Sequence, residues 1–293
     1  MILYNKDKWL DIIHDEKYEN IRQKILSSFD KLVFVDEGHR YFVGDKELLS
    51  VSVVTHLFKE EFNSEEKAIE TAERNYNNPK SKYYKMTAEE ILAQWKEKNL
   101  KSTTHGTHVH EFGESCFYYM IGDYENILPN FKDRLTDDGG FEATEPKEDA
   151  VVRFFQDIPK CIVPILAETK VYDENLGYAG TFDILFYYDA ELDGKSSDKS
   201  GLVIWDYKTN EDLFKNFQGQ KLLVPFNKLL DMPLSIYKLQ LSLYQICLEN
   251  IGFNVVGRRI IWLKPEGNYN KINLEEYTRI LKENVSKKIA LHG

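Results

Sequence analysis

The sequence predicts an α/β fold, and three observations lead there. β-rich runs alternate with helical segments from about residue 146 onward, the stretch before it is mainly helical, and 42% of the 293 residues are hydrophobic. A chain of that length and apolar content buries a sizeable core, as one large domain or two small ones. No apolar run approaches the roughly 18 to 20 residues of a membrane span. The opening MILYNKDKWLDIIHDEKYEN lacks the basic, apolar and small-residue zones of a signal peptide. The expectation is a cytoplasmic protein with no membrane partner.

Taken in order, residues 32 to 43, LVFVDEGHRYFV, read as two short strands around a turn, and SVSVVTHLF after them opens another apolar segment. From about Asn63 to Tyr124 the pattern turns helical. It runs through SEEKAIETAERNY, then TAEEILAQWKEK, opened by a capping box from Thr87 to Glu90, then THVHEFGESCFYYM. The polar stretch KDRLTDDGGFEATEPKED then marks a loose boundary near residue 145. It divides an N-terminal hairpin and helical region, 1–145, from a core, 146–293, the two integrated as one domain. In the core, DAVVRFFQDI reads as a helix, followed by strands at roughly 162 to 173, 179 to 188 and 202 to 208. A helix at about 234 to 251, a strand at about 255 to 264 and a final helix from Leu274 complete it. The polar linker DAELDGKSSDKS between the second and third strands reads as a solvated loop tip.

The formal charge of −10 argues against a protein that coats nucleic acid through bulk electrostatics, so any contact with phosphates must be confined to a patch. Lys80, Lys82, Lys85, Lys96, Lys98 and Lys101 cluster just before GTHVH, with Tyr83, Tyr84 and Trp95 interleaved. Lysines can track phosphates while aromatic rings stack on unpaired bases, and Lys96, Lys98 and Lys101 are the candidates for DNA contact; a solvated helix face would look the same. Cys116, Cys161 and Cys247 are odd in number and form no CxxC pair, which excludes a disulfide framework and a four-cysteine metal cluster. They read as core thiols. His105, His108 and His110 do not make a zinc site, because the last two point to nearly opposite sides of a helix and no cysteine is near to complete it.

The chemistry gathers in the second half. In YAGTFDILFYYD, Asp183 sits near the start of a β-rich run, and GLVIWDYKTN ends its apolar run in Asp206, Tyr207 and Lys208. Side chains alternate along a strand, so Asp206 and Lys208 share one face while Tyr207 points to the other. If the two strands pair as a hairpin across the linker, Asp183 meets Asp206. Two close carboxylates repel unless a hard divalent cation neutralises them, and such a cation beside a lysine suits phosphodiester hydrolysis. An acid-x-Lys triplet alone is cheap, since Glu168-Thr-Lys170 and others occur; only Asp206-Tyr-Lys208 ends a strongly apolar strand and follows a Gly-x-x-Asp strand. His110 lies at the edge of the apolar stripe of Val109, Phe112, Cys116 and Met120, where it can face a cleft. Glu114 is one turn on. Gln240 and Tyr244 share a helix face, so amide and phenol project together.

These pieces, GTHVH ending at His110, GTFD ending at Asp183, DYKT at 206 to 209 and Gln240-Leu-Ser-Leu-Tyr244, resemble in order and spacing the PD-(D/E)XK nuclease superfamily, in its branch of RecB-like and phage-type exonucleases. The resemblance runs from roughly Phe34 to Lys264. It implies a restriction-endonuclease-like core, a central mixed β-sheet flanked by helices. It implies that His110, Asp183 and Asp206 bind Mg²⁺ or Mn²⁺. Beside that set, Glu114 is a candidate for a further ligand or for a partner of one, with a solvated glutamate as the alternative. Glu168 precedes Asp183 by 15 residues on the preceding strand, where relatives often carry an acid, and is a candidate for the metal, with pairing to Lys170 as the alternative. By the same resemblance Lys208 is catalytic, and Gln240 and Tyr244 lie by the active site and contact DNA. The four cysteines of iron-sulfur relatives and the GxxxxGK[ST] of helicase-linked relatives are missing. The implied activity is a stand-alone deoxyribonuclease, an exonuclease processing DNA ends in recombination, repair or replication, with a single-strand annealing or recombination protein as a partner. A structure- or site-selective endonuclease, and a binding or assembly protein that keeps the fold without turnover, are the alternatives.

Overall fold

The computed structural model describes residues 1–4 and 8–292. In chain order its elements are β1 (Ile2–Leu3), α1 (Glu16–Ser28), β2 (Leu32–Val35), β3 (Arg40–Val43), β4 (Lys46–Ser50), α2 (Val51–His56), α3 (Ser64–Asn75) and α4 (Ala88–Met120). They continue with β5 (Phe141–Glu142), α5 (Pro146–Asp157), β6 (Ile162–Asp173), β7 (Tyr178–Tyr188) and β8 (Gly201–Lys208), then α6 (Pro233–Asn250), β9 (Val255–Leu263), β10 (Tyr269–Asn273) and α7 (Thr278–His292). The class is α/β. Eight strands form a mixed sheet in the order β10-β9-β8-β7-β4-β3-β2, with β6 pairing along β7 as well. The β4·β7 and β8·β9 pairs are parallel. The β7·β8 pair is antiparallel, as the hairpin reading requires.

Helices cover both faces of the central strands. On one, Phe154 of α5 packs at 5.0 Å from Trp205 and 5.8 Å from Tyr207. On the other, α6 brings Tyr237 to Lys208. α6 is apolar nearly all round, and 11 of its 18 residues are buried, which suits a helix enclosed between the sheet and α7 rather than one on the surface. Cys116, Cys161 and Cys247 are free and buried. Among the described residues no helix is long and apolar enough to cross a membrane.

The differences from the sequence reading have local causes. The capping box forms as expected, with Thr87 Oγ1 accepting from the Glu90 N–H and Glu90 Oε2 accepting from the Thr87 N–H. The helix it opens does not stop before GTHVH, however, and α4 runs unbroken through Gly106. A mid-helix glycine costs only about 1 kcal/mol against alanine, and no proline interrupts the run. β10 is a strand that the hydrophobic pattern missed, because Tyr-Asn-Lys-Ile-Asn sits at the sheet edge with little of it buried. It displaces the start of the last helix to Thr278.

The chain divides into two compact units, residues 1–59 with 110–293, and residues 60–109. The polar stretch before residue 146 lies inside the first. The second holds α3 and the N-terminal part of α4. There Trp95 Nε1 donates to Tyr83 Oη at 2.9 Å, and the Trp95 ring lies 6.3 Å from that of Phe62. Trp95 and Tyr83 thus pack on each other, while Phe62 remains exposed.

Candidate active site

Asp183 stands within β7, and the ladders on either side decide its neighbours. On β6 the pairs Ala167↔Ile184 and Thr169↔Phe182 bracket it and set Glu168 opposite. On β8 the pair Ile184↔Trp205, continued by one residue, sets Asp206 opposite. Three carboxylates therefore lie in a row across three adjacent strands, which sit about 4.8 Å apart. Glu168 leaves the strand conformation, with φ +43°. A non-glycine residue pays roughly 1–3 kcal/mol for that backbone, and such strain persists only where the surroundings impose it. Here the kink falls where the Glu168 carboxylate meets His110 and Asp183, each offering a ligand atom within 4.8 Å of the others.

His110 is supplied by α4. Its Nδ1 lies 3.2 Å from Asp183 Oδ2, and its ring meets Tyr207 edge-on at 5.9 Å. Gly113, one turn further on, permits this approach, because a Cβ there would lie 2.5 Å from Cε2 of the fully buried Tyr207 ring. Alanine ordinarily gains about 1 kcal/mol over glycine inside a helix. At Gly113 the sign should reverse: Gly113→Ala is expected to lose about 1–3 kcal/mol in urea unfolding through overpacking. Unchanged or increased stability would mean that the spacing of α4 from β8 is slack.

The remaining side chains lock the lysine and the acids in place. Asp183 Oδ2 accepts the Tyr207 backbone N–H at 2.6 Å. Asp206, 2% exposed, forms an ion pair with Lys208. The Lys208 ammonium also sits 4.4 Å from the centre of the Tyr237 ring, whose hydroxyl donates to Asn210 Oδ1 at 2.9 Å. Gln240 Nε2 donates to Tyr244 Oη at 3.3 Å. A Cβ on Gly180 would come within 2.9 Å of Tyr244 Cε1, so the glycine of Gly-Thr-Phe-Asp gives the tyrosine its seat. Tyr237 was not singled out in the sequence. Its signal was the helical spacing with Gln240 and Tyr244, three and seven residues on.

Charge at this site exceeds what its burial tolerates. Burial and the neighbouring Asp183 charge raise the Asp206 carboxyl from its ordinary 3.8 to about 6. Burial, then the charges of Asp183 and Glu114, hold Glu168 well above the usual carboxylate range. Burial also pushes Asp183 up, but His110 and Lys208 outweigh it and the net direction is down. For His110, burial pushes the imidazole down, and the Asp183 carboxylate outweighs that and raises it. The site thus retains protons where a cation would serve. Three carboxylates and an imidazole are an oxygen and nitrogen donor set suited to a hard or borderline divalent ion, so the residues fit the expected Mg²⁺ or Mn²⁺. His110, Glu168 and Asp183 would hold it most directly, with Asp206 beside them.

The linkage gives a pH test. Asp206 is raised above its ordinary value, so its contribution to the stability of the metal-free protein is complete below about pH 4 and is lost as pH rises through about 6. An ion held among these carboxylates would displace those protons. The gain in Tm on adding Mn²⁺ should therefore grow from about pH 5 to about pH 7.5, read by scanning calorimetry. A gain independent of pH would separate the ion from these groups.

Other expected residues fall elsewhere. Glu114 is half-buried and raised by its burial; its charge reaches Glu168, but it lies outside the trio of ligand atoms. Lys170, the alternative partner of Glu168, extends over the Phe34 ring at 5.3 Å. Lys96, Lys98 and Lys101 are exposed on α4 within residues 60–109, and Lys101 pairs with Glu97 at 2.6 Å, an exposed i,i+4 bridge of small energetic weight. Arg258, on the face of β9 that Lys208 shares, is engaged with Gln245 and the Leu274 carbonyl, while Arg259 lies over Trp205 on the other face. No protein-family model and no curated protein matches the chain, so the functional reading rests on this geometry and on the sequence patterns behind it.

Proposed function

We propose that this protein is a divalent-metal-dependent deoxyribonuclease with a restriction-endonuclease-like core, similar to the RecB-like and phage-type exonucleases of the PD-(D/E)XK superfamily. One observation carries the reading: Glu168, Asp183 and Asp206 stand abreast on three adjacent strands, with His110 against Asp183 and Lys208 paired to Asp206. A divalent ion held there supplies a Lewis acid and lowers the pKa of a bound water. Lys208, steadied by Asp206 and the Tyr237 ring, presents a fixed ammonium to negative charge developing on a phosphate. Gln240 and Tyr244 place an amide and a phenol near the same carboxylates, where they can position the phosphodiester.

The test is digestion of circular and linear forms of one plasmid with Mg²⁺ or Mn²⁺. Degradation of the linear form alone supports an exonuclease that processes DNA ends, and cleavage of both supports an endonuclease on the same fold. Absence of metal-dependent cleavage on single-stranded, duplex and circular DNA would overturn the nuclease reading.

A further inference from the structure

The outer edge of the sheet carries a second surface. β10 is the edge strand, and a groove of about 900 Å³ runs along it. Its walls include Phe214, Trp262 and Tyr269, with Arg153 and Lys271 as cations and one carboxylate, Asp157. That carboxylate is engaged, accepting the Tyr269 hydroxyl at 2.9 Å. The lining thus sets three aromatic rings among polar side chains with a net charge of +1, in a chain whose net charge is −10.

Its position ties it to the active site. Trp262 pairs directly with Lys208 in the parallel β8·β9 ladder, so the groove begins one strand away from the lysine. Phe214 lies 5.9 Å from Trp262, and 53% of its surface is open to solvent. The segment that carries it leaves β8 at Thr209 and is fastened at its root. Lys147 Nζ donates to the Thr209 carbonyl at 2.8 Å, Trp262 Nε1 to the Asn210 carbonyl at 2.8 Å, and Tyr237 Oη to the Asn210 side chain. Phe217, 63% exposed, follows three residues on with Lys215 between them. Exposed phenyl rings on a fastened segment lose little freedom when they meet a ligand.

We propose that this groove binds an unpaired DNA strand, holding bases against Phe214 and phosphates near Arg153 and Lys271, so that the protein engages a single-stranded end beside its active site. The proposal rests on the nuclease reading for its choice of DNA. Only unpaired bases expose ring faces for stacking, and a duplex would offer the groove its backbone alone. Aromatic rings alternating with cations are the arrangement that takes a single strand without sequence preference.

The test measures binding of a fluorescein-labelled oligothymidylate of about ten nucleotides, and of a blunt duplex of the same length, to the full chain in EDTA at low salt. Wild type should prefer the single strand. Phe214→Ala should weaken that binding roughly tenfold, the loss expected for one stacked base, and Lys271→Glu should weaken it and flatten its salt dependence. Both positions are exposed, and equal melting temperatures would confirm that each variant folds. Phe214→Trp adds a direct readout, since a stacked thymine should quench its emission. Unchanged affinity in both variants, or no binding by wild type, overturns the proposal. Metal-dependent cleavage measured on the same preparations separates the two ideas: cleavage with no effect of either substitution on binding sinks the groove alone, and groove-dependent binding without cleavage sinks the nuclease reading alone.

Discussion

Lys208→Ala is expected to lower DNA cleavage by about 100-fold or more while leaving the fold and metal binding nearly intact. The lysine neither holds the ion nor fills the core. Its ammonium is fixed between Asp206 and the Tyr237 ring; in the proposed reaction it would meet charge that develops only in the transition state, and such interactions act on turnover rather than on ground-state affinity. Removing it leaves Asp206 buried without its cation. In a metal-free protein that carboxyl, already raised to about 6, responds by holding its proton, so the variant should be measured with metal present. Single-turnover cleavage beside manganese calorimetry decides the matter. Near-normal turnover would remove Lys208 from the chemistry.

The second large effect concerns the carboxylates. Asp183→Asn and Asp206→Asn keep the shape of each side chain and still accept hydrogen bonds, including the Tyr207 N–H at Asp183, but each removes one negative charge from the site. Metal affinity and activity should fall together, by at least about tenfold each, with Asp183→Asn the more severe because that residue touches both His110 and the Glu168 side of the row. In Asp183→Asn the His110 imidazole should then lose its proton more readily, since the Asp183 charge is what outweighs its burial. Manganese binding as tight as wild type in either variant would show that the substituted residue is not a ligand.

The parts legible in the sequence are those whose signals are local. Strands β6, β7 and β8 fall within a residue of the expected ranges because their apolar runs are long and bounded by polar turns. The Thr87–Glu90 box was readable because a cap is a four-residue pattern. The approach of Asp183 to Asp206 followed from strand alternation and one hairpin assumption, and that pairing is present. Glu168 was harder. Its spacing from Asp183 suggested a neighbour, but whether its carboxylate turned toward Asp183 or toward Lys170 depended on a left-handed backbone that no propensity for glutamate predicts. The contacts of Tyr237 and of the root of the segment after Thr209 were illegible for a related reason. Their partners, Lys208, Lys147 and Trp262, lie on three separate elements, and only the packed sheet brings them together. β10 lacked an apolar pattern because an edge strand buries little.

The proposed metal centre is tested most directly by an anomalous difference map from crystals of the protein grown with Mn²⁺. A single strong peak is expected, bounded by His110, Glu168 and Asp183, with Asp206 adjoining and a ring nitrogen of His110 about 2.2 Å from the ion. Loss of that peak in Asp183→Asn crystals would follow from the same geometry. A map with no peak there, His110 remaining hydrogen-bonded to Asp183 at saturating Mn²⁺, or a peak confined to surface carboxylates, would contradict a metal centre built on these strands.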